Sequence, residues 1–216
     1  MFNIFSTEGL RELLIMLPAL LLSLSVHEFA HAWVAYKLGD ISQKIRGRLT
    51  LNPFKHIDLF GFISIIFIGV GWGKPVMIDD RNFKNRARGN MLTALAGPMS
   101  NLVLAVFLTL LLKVLIICGA FTGNVSNVAN ILLEMLFLAI QFNIVFCAFN
   151  LIPLPPLDGS KVLAYFLPPK LKGWMYYLER YSFYIIIILW VTGLSSILIT
   201  PTYNLIASIL DFILGL

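Results

Sequence analysis

The chain contains three histidines, and two of them stand in the run His27-Glu28-Phe29-Ala30-His31. At about 100° per residue, positions i and i+4 leave the same helix face one turn apart. Two imidazoles so spaced can grip one Zn²⁺, and the carboxylate of Glu28 beside them can hold and activate water. A catalytic zinc takes three protein ligands and keeps a fourth position open. The candidates for the third ligand are His56, Glu134 and Asp158. Which of them reaches the pair depends on the elements that carry it.

Of the 216 residues, 59% are hydrophobic and only 12% are charged, giving a mean hydropathy of +0.87. Soluble domains run near about 45–50% apolar and about 25% charged. Too few polar side chains remain here to cover a water-facing surface. That excludes an ordinary soluble globule, a disordered chain and a small disulfide scaffold, and predicts a multi-pass membrane protein. In such a protein the position of Lys and Arg matters more than the net charge of +5, so no nucleic-acid partner is implied. Cys118 and Cys147 both lie in apolar stretches and read as small core residues. The N-terminal apolar run continues into the His27–His31 pattern without a convincing cleavage site, so it reads as a retained span.

A bilayer-crossing helix needs about 20 mostly apolar residues. Five stretches qualify or nearly qualify: 10–36, 89–118, 128–153, 181–199 and 203–216. The apolar run 59–73 is shorter, carries glycines at 61, 69, 71 and 73, and suits a re-entrant segment. With that run entering and leaving on one side, the cationic loops before it, after it and following the third span place 14 of the 16 Lys and Arg residues on one face. The opposite loops, near 119–127 and 200–202, carry none. The positive-inside rule assigns the loaded face to the cytoplasm.

Ionisable groups inside a membrane cost about 2.5–3.5 kcal/mol each on insertion scales and mark function by default. That weighs against His27, Glu28 and His31 clustering in a span by accident. For the third ligand, His56 reads as interfacial, and Glu134 lies near the uncharged face, far in depth from the histidines. Asp158 follows Asn150-Leu151-Ile152-Pro153 at the cytoplasmic end of the third span, at the depth of the histidines, where prolines 153, 155 and 156 break regular helix. Asp158 is therefore the expected third ligand. Its plain alternative is a capping aspartate before a helix.

Three separated motifs, in order, resemble the site-two proteases, a family of intramembrane zinc metalloproteases. They are His27-Glu28-Phe29-Ala30-His31, then Ala96-Gly97-Pro98-Met99-Ser100-Asn101, then Asn150-Leu151-Ile152-Pro153 continuing to Leu157-Asp158-Gly159. Leu49-Thr50-Leu51-Asn52-Pro53 with His56-Ile57-Asp58, and Gly71-Trp72-Gly73-Lys74-Pro75-Val76, also look like the compact prokaryotic members. The resemblance covers residues 10–170. It implies one zinc per chain completed by Asp158, Glu28 as the base that activates water, and Asn150 donating a hydrogen bond to substrate or oxyanion. It further implies transmembrane substrates and a prokaryotic cell membrane with the site near its cytoplasmic face. No loop is long enough for a PDZ or regulatory module, so a single domain over 1–216 is expected, with 177–216 as accessory helices. The fold expected is an all-α bundle of about five transmembrane helices with a re-entrant segment and a small β-strand or hairpin region.

Such a protease must hold its substrate unwound. Residues 41–51 alternate, with Ile41, Ile45, Leu49 and Leu51 on one parity and Ser42, Lys44, Arg46, Arg48 and Thr50 on the other, which predicts a strand. With the edge-like Lys74, Pro75 and Val76 it would accept substrate by strand addition. The plain alternative is a cationic loop on anionic lipid. Two rival functions are a zinc-binding membrane protein without proteolysis, which would not need Glu28, and a metal transporter, which would need polar groups through the full membrane depth.

Overall fold

In lipid, an apolar run satisfies its own backbone as an α-helix, and the long runs of this chain do so. The computed structural model describes residues 6–68, 71–120 and 126–215. Its helices are α1 (Thr7–Lys37), α2 (Ser42–Ile45), α3 (Leu59–Ile68), α4 (Arg86–Ile117), α5 (Asn127–Asn150), α6 (Asp158–Phe166), α7 (Pro169–Arg180), α8 (Ser182–Val191) and α9 (Leu194–Leu214). Side chains open three of the long ones: Ser6, Asn85 and Ser126 accept the amides of Gly9, Arg88 and Ala129, N–H groups that a first turn leaves without partners. Four helices, α1, α4, α5 and α9, are long and apolar enough to cross a membrane. The chain is an integral, all-α membrane protein.

Helices α1, α4 and α5 form the centre. Arg11 of α1 pairs with Glu134 of α5 at 2.9 Å, and further along both helices the Asn143 amide donates to Ser23 Oγ at 2.8 Å. The two helices therefore run in the same direction, with α4 antiparallel to them. Alanines 19, 105 and 139 let the backbones close up around Leu108, Leu112 and Ile144, and α9 adds Ile206 and Leu210 to that core. Lys113, inside α4, donates to the Ile213 carbonyl at 2.6 Å. A cation at a helix C-terminus both satisfies an orphan carbonyl and meets the negative end of the dipole. Cys147 is buried in this core as expected, whereas Cys118 is exposed where α4 ends.

Two expected spans are redrawn. The chain breaks at Gly193, whose φ of 73° suits glycine, and not at 200–202. Ten-residue α8 reaches only about 15 Å, while α9 continues through Pro201. A proline removes one hydrogen bond there, which a transmembrane helix tolerates. The described residues thus hold four candidate spans where about five were expected; Leu216 lies outside them, as do 121–125 of the uncharged loop.

The strand expected over 41–51 is absent. Its apolar positions Ile41 and Ile45 are also four apart, which is a helical spacing, and the segment folds as the short α2 with both side chains exposed. What buries this region is polar. Asp40, fully buried, accepts from Ser42 N at 3.0 Å, Gln43 Nε2 at 2.7 Å, Asp79 N at 3.0 Å and Asn82 Nδ2 at 3.3 Å. Gln43 and Arg46 also hold the Met77 carbonyl, and Arg48 the Pro75 carbonyl. The extended segment 74–79 is pinned by side chains in place of a ladder. The only β pairing among the described residues is an isolated antiparallel bridge between Ile57 and Gly73.

Burial alone would raise the Asp40 pKa, but the hydrogen bonds from Ser42, Asp79 and Gln43 outweigh it and hold the carboxyl below its ordinary value. The clamp is therefore complete above the ordinary aspartate pKa of about 4 and is lost only as pH falls through the lower folded value. Asp40→Ala is expected to cost about 2–4 kcal/mol locally, since several buried donors lose their acceptor. Hydrogen exchange of 74–82 would rise in the variant at neutral pH; unchanged protection would contradict the clamp.

That bridge also brings together the two ends of the run 59–73, of which Gly69 and Val70 lie outside the described residues. The Lys74 amide donates to the His56 carbonyl at 2.7 Å. The returning chain passes α3 so closely that a Cβ on Gly61 would run into the Trp72 backbone.

Candidate active site

The regular pitch of α1 carries His27 and His31 to one face, both buried, and their rings lie edge to face with centroids 4.6 Å apart. Asp158 opens α6 after the turn 151–157, where a Cβ on Gly159 would strike the Leu151 and Ile152 carbonyls. The glycine lets α6 start against the end of α5 and swing the carboxylate towards α1. Asp158 Oδ2 lies 3.2 Å from His27 Nε2 and 3.0 Å from His31 Nε2, and the two Nε2 atoms are 3.0 Å apart. These three side chains form the one His/Cys/Asp/Glu cluster found among the described residues that could hold a metal ion.

The protons around the cluster follow from its neighbours. His31 Nδ1 is 2.7 Å from the Thr93 carbonyl, an acceptor only, so that nitrogen carries hydrogen. His27 Nδ1 is 2.7 Å from Asn101 Oδ1. The other amide atom of Asn101 faces two acceptors, Ser23 O at 3.0 Å and Asn143 Oδ1 at 2.7 Å, which fixes it as the NH₂ group and Oδ1 as the acceptor. With both Nδ1 atoms so engaged, each ring turns its Nε2 inward, onto a carboxylate oxygen. Three donor atoms so converge at 3.0–3.2 Å, an arrangement that could hold a metal ion. Tetrahedral zinc with bonds of about 2.0–2.1 Å separates its ligand atoms by about 3.3 Å, so the donor set fits that metal in type and spacing.

The backing of the rings is α4. A Cβ on Gly97 would collide with His31 Nε2 and lie 2.6 Å from His27 Cε1, so only glycine lets α4 approach. Gly97→Ala is expected to push the imidazoles out of register, an overpacking cost of about 1–3 kcal/mol. Metal content after dialysis would drop at least about tenfold; full retention would contradict this packing. Asn101→Ala removes the partner that sets the His27 tautomer. Loss of such an outer contact typically weakens metal binding about 10–100-fold, which competition with a chelator would measure.

Glu28 is half-buried beside the pair, and its Oε2 accepts the Val76 amide at 3.2 Å. The expected substrate edge thus meets the expected base: Val76 is half-buried, while Lys74 and Pro75 are exposed. Asn150 is not in the cluster. Its amide donates to Phe146 O at 3.0 Å, one turn back on α5, and the Phe146 ring packs 6.0 Å from that of His27. His56 is buried elsewhere, donating from Nε2 to Thr50 O at 2.7 Å, and Glu134 is occupied by Arg11 about 24 Å along α1 from His27. From sequence, Asn101 entered only as part of a motif with no role of its own, and Asn143 was passed over. Both are fully buried amides in apolar helices, and intramembrane polarity was the available signal.

The chain matches the family model of Peptidase family M50 over residues 15–189. It is 41% identical over 191 residues to a protein of Bacillus subtilis (strain 168), covering 86% of this chain and 84% of that protein. A protein of Mycolicibacterium smegmatis is 31% identical over 191 residues, and one of Mycobacterium tuberculosis 34% over 157. The matched regions are 85% and 69% of this chain but only 66% and 56% of those longer proteins. Each relative bears the name "Putative zinc metalloprotease", YwhC in Bacillus and Rip2 in the mycobacteria. No solved structure matches the chain. The family match spans 15–189 and so includes the positions of His27, Glu28, His31 and Asp158: the chain belongs to peptidase family M50, the site-two proteases.

Proposed function

We propose that this chain is an intramembrane zinc endopeptidase that hydrolyses peptide bonds within or next to transmembrane segments of membrane-anchored substrates. One zinc per chain would be held by His27, His31 and Asp158. The observation that carries the reading is the convergence of two imidazole Nε2 atoms and a carboxylate oxygen within 3.2 Å, one residue from a half-buried glutamate. When bound, zinc would polarise the scissile carbonyl and bring the pKa of water near 7. Glu28 takes the proton from the attacking water as the new C–O bond forms, and delivers it to the nitrogen as the C–N bond breaks. The Val76 amide holds the Glu28 carboxylate in place, and the edge Lys74-Pro75-Val76 receives the unwound substrate as an added strand. Asn150 keeps one amide hydrogen on Phe146 O and offers the other to the substrate carbonyl.

The asymmetry of the cationic loops supports a site near the cytoplasmic face of a cell membrane, and a re-entrant 59–73 would keep those loops on that side. The test is cleavage of a model transmembrane peptide by purified protein in lipid nanodiscs. Chelation should abolish cleavage and added zinc restore it. Cleavage that persists in the demetallated protein would overturn the reading.

A further inference from the structure

Helix α6 does more than deliver Asp158. Lys161 and Tyr165 continue the i, i+3, i+7 stripe that begins at Asp158, and with Ala164 they line a cleft of about 520 Å³. Facing them across it is the pinned extended segment at Val76, Met77 and Ile78. The far wall is one face of α7, Lys172, Met175, Tyr176 and Glu179, spaced i, i+3, i+4 and i+7. The cleft neighbours the site through two of its linings: α6, which opens at Asp158, and Val76, whose amide meets Glu28.

Its chemistry is that of a peptide trough. Alternate residues of an extended chain turn their backbone groups to opposite sides. The carbonyls of 75 and 77 and the amide of 79 are taken up by the Asp40, Gln43, Arg46 and Arg48 side chains. The opposite side carries the Lys74 and Val76 amides, bound to His56 O and Glu28. Next on that side come the Val76 carbonyl and the Ile78 amide, for which no partner is found among the described residues. Lys161, Lys172 and Glu179 form no ion pair there either. A headgroup site would gather cations; this cleft mixes both signs with two tyrosines and free backbone edge.

We propose that the cleft binds the extended juxtamembrane segment of the substrate, on the loop side of the scissile bond, pairing it with the Val76 carbonyl and the Ile78 amide. The inference rests on the protease reading for the substrate's identity. The test uses Glu28→Gln protein in phosphatidylcholine nanodiscs and two fluorescent peptides. One is an apolar helix-forming segment alone; the other carries an extension of about ten residues, enough to run some 33 Å when extended. Anisotropy should show the extended peptide binding about tenfold tighter. Tyr165→Ala with Tyr176→Ala, and separately Lys161→Glu, both on exposed positions, should erase that difference without weakening the short peptide.

Equal affinity of the two peptides would overturn the proposal, as would a loss shared equally by both. A preference that appears only when phosphatidylglycerol is added would assign the cleft to lipid and also overturn it. Cleavage of the short peptide by unsubstituted protein scores the protease reading separately. Discrimination without any cleavage would leave an extension-binding cleft and remove the protease.

Discussion

Asp158→Ala is expected to leave the protein folded and empty of metal. The content should fall from about one zinc per chain to near zero after dialysis, because two imidazoles alone fall short of the three protein ligands a catalytic zinc takes. Cleavage should fall about 10³-fold or more, since the metal supplies several kcal/mol of transition-state stabilisation. Folding should survive because the histidines keep their other contacts, His27 on Asn101 and His31 on the Thr93 carbonyl. Asp158→Asn separates charge from shape: it keeps the side-chain volume, removes the negative charge and should retain only weakly bound metal. Elemental analysis beside cleavage of a transmembrane peptide checks both. Full metal content in Asp158→Ala would dissolve the cluster as a metal site and leave it a hydrogen-bonded His–His–Asp group.

That cluster was legible because its parts obey rules that sequence displays. His27 and His31 are spaced by one helical turn, and an apolar span makes ionisable side chains conspicuous. Asp158 needed only depth matching, since the span carrying the histidines and the span ending at α5 both run into cationic loops in the sequence. The network behind them was less legible. Asn101, Asn143 and Ser23 sit on three different helices, and their hydrogen bonds depend on how α1, α4 and α5 rotate against one another, which no single segment encodes. Gly97 carried an ambiguous signal, because a small residue permits close packing without saying that imidazoles fill the space.

The misread elements have local causes. Ile41 and Ile45 satisfy both period two and period four, and the bonds of the Asp40 carboxylate to the Ser42 amide and the Gln43 side chain favour the helical turn. Pro201 was a stronger apparent stop than Gly193, yet a lone proline can be absorbed within a helix while a left-handed residue turns the chain.

Glu28→Gln isolates the proton transfer from everything else the site does. The amide is nearly isosteric with the carboxylate, and its oxygen can still accept the Val76 N–H that Glu28 Oε2 accepts at 3.2 Å, so the edge segment should stay in place. No metal ligand changes, so zinc content should match the parent protein. What is lost is a group able to take a proton from water and return it to the leaving nitrogen, a function typically worth about 10²–10⁴ in rate. The loss should appear in kcat with KM nearly unchanged, since Glu28 acts on the reaction and not on substrate affinity. Glu28→Asp gives the complementary result: it keeps a base but withdraws it by one methylene from the Val76 amide, and should recover part of the rate. If Glu28→Gln cleaved at the parent rate with full zinc, the base would have to be another residue. Among the described residues no second carboxylate joins Asp158 at the two imidazoles, so hydrolysis at this site would then lack a proton acceptor.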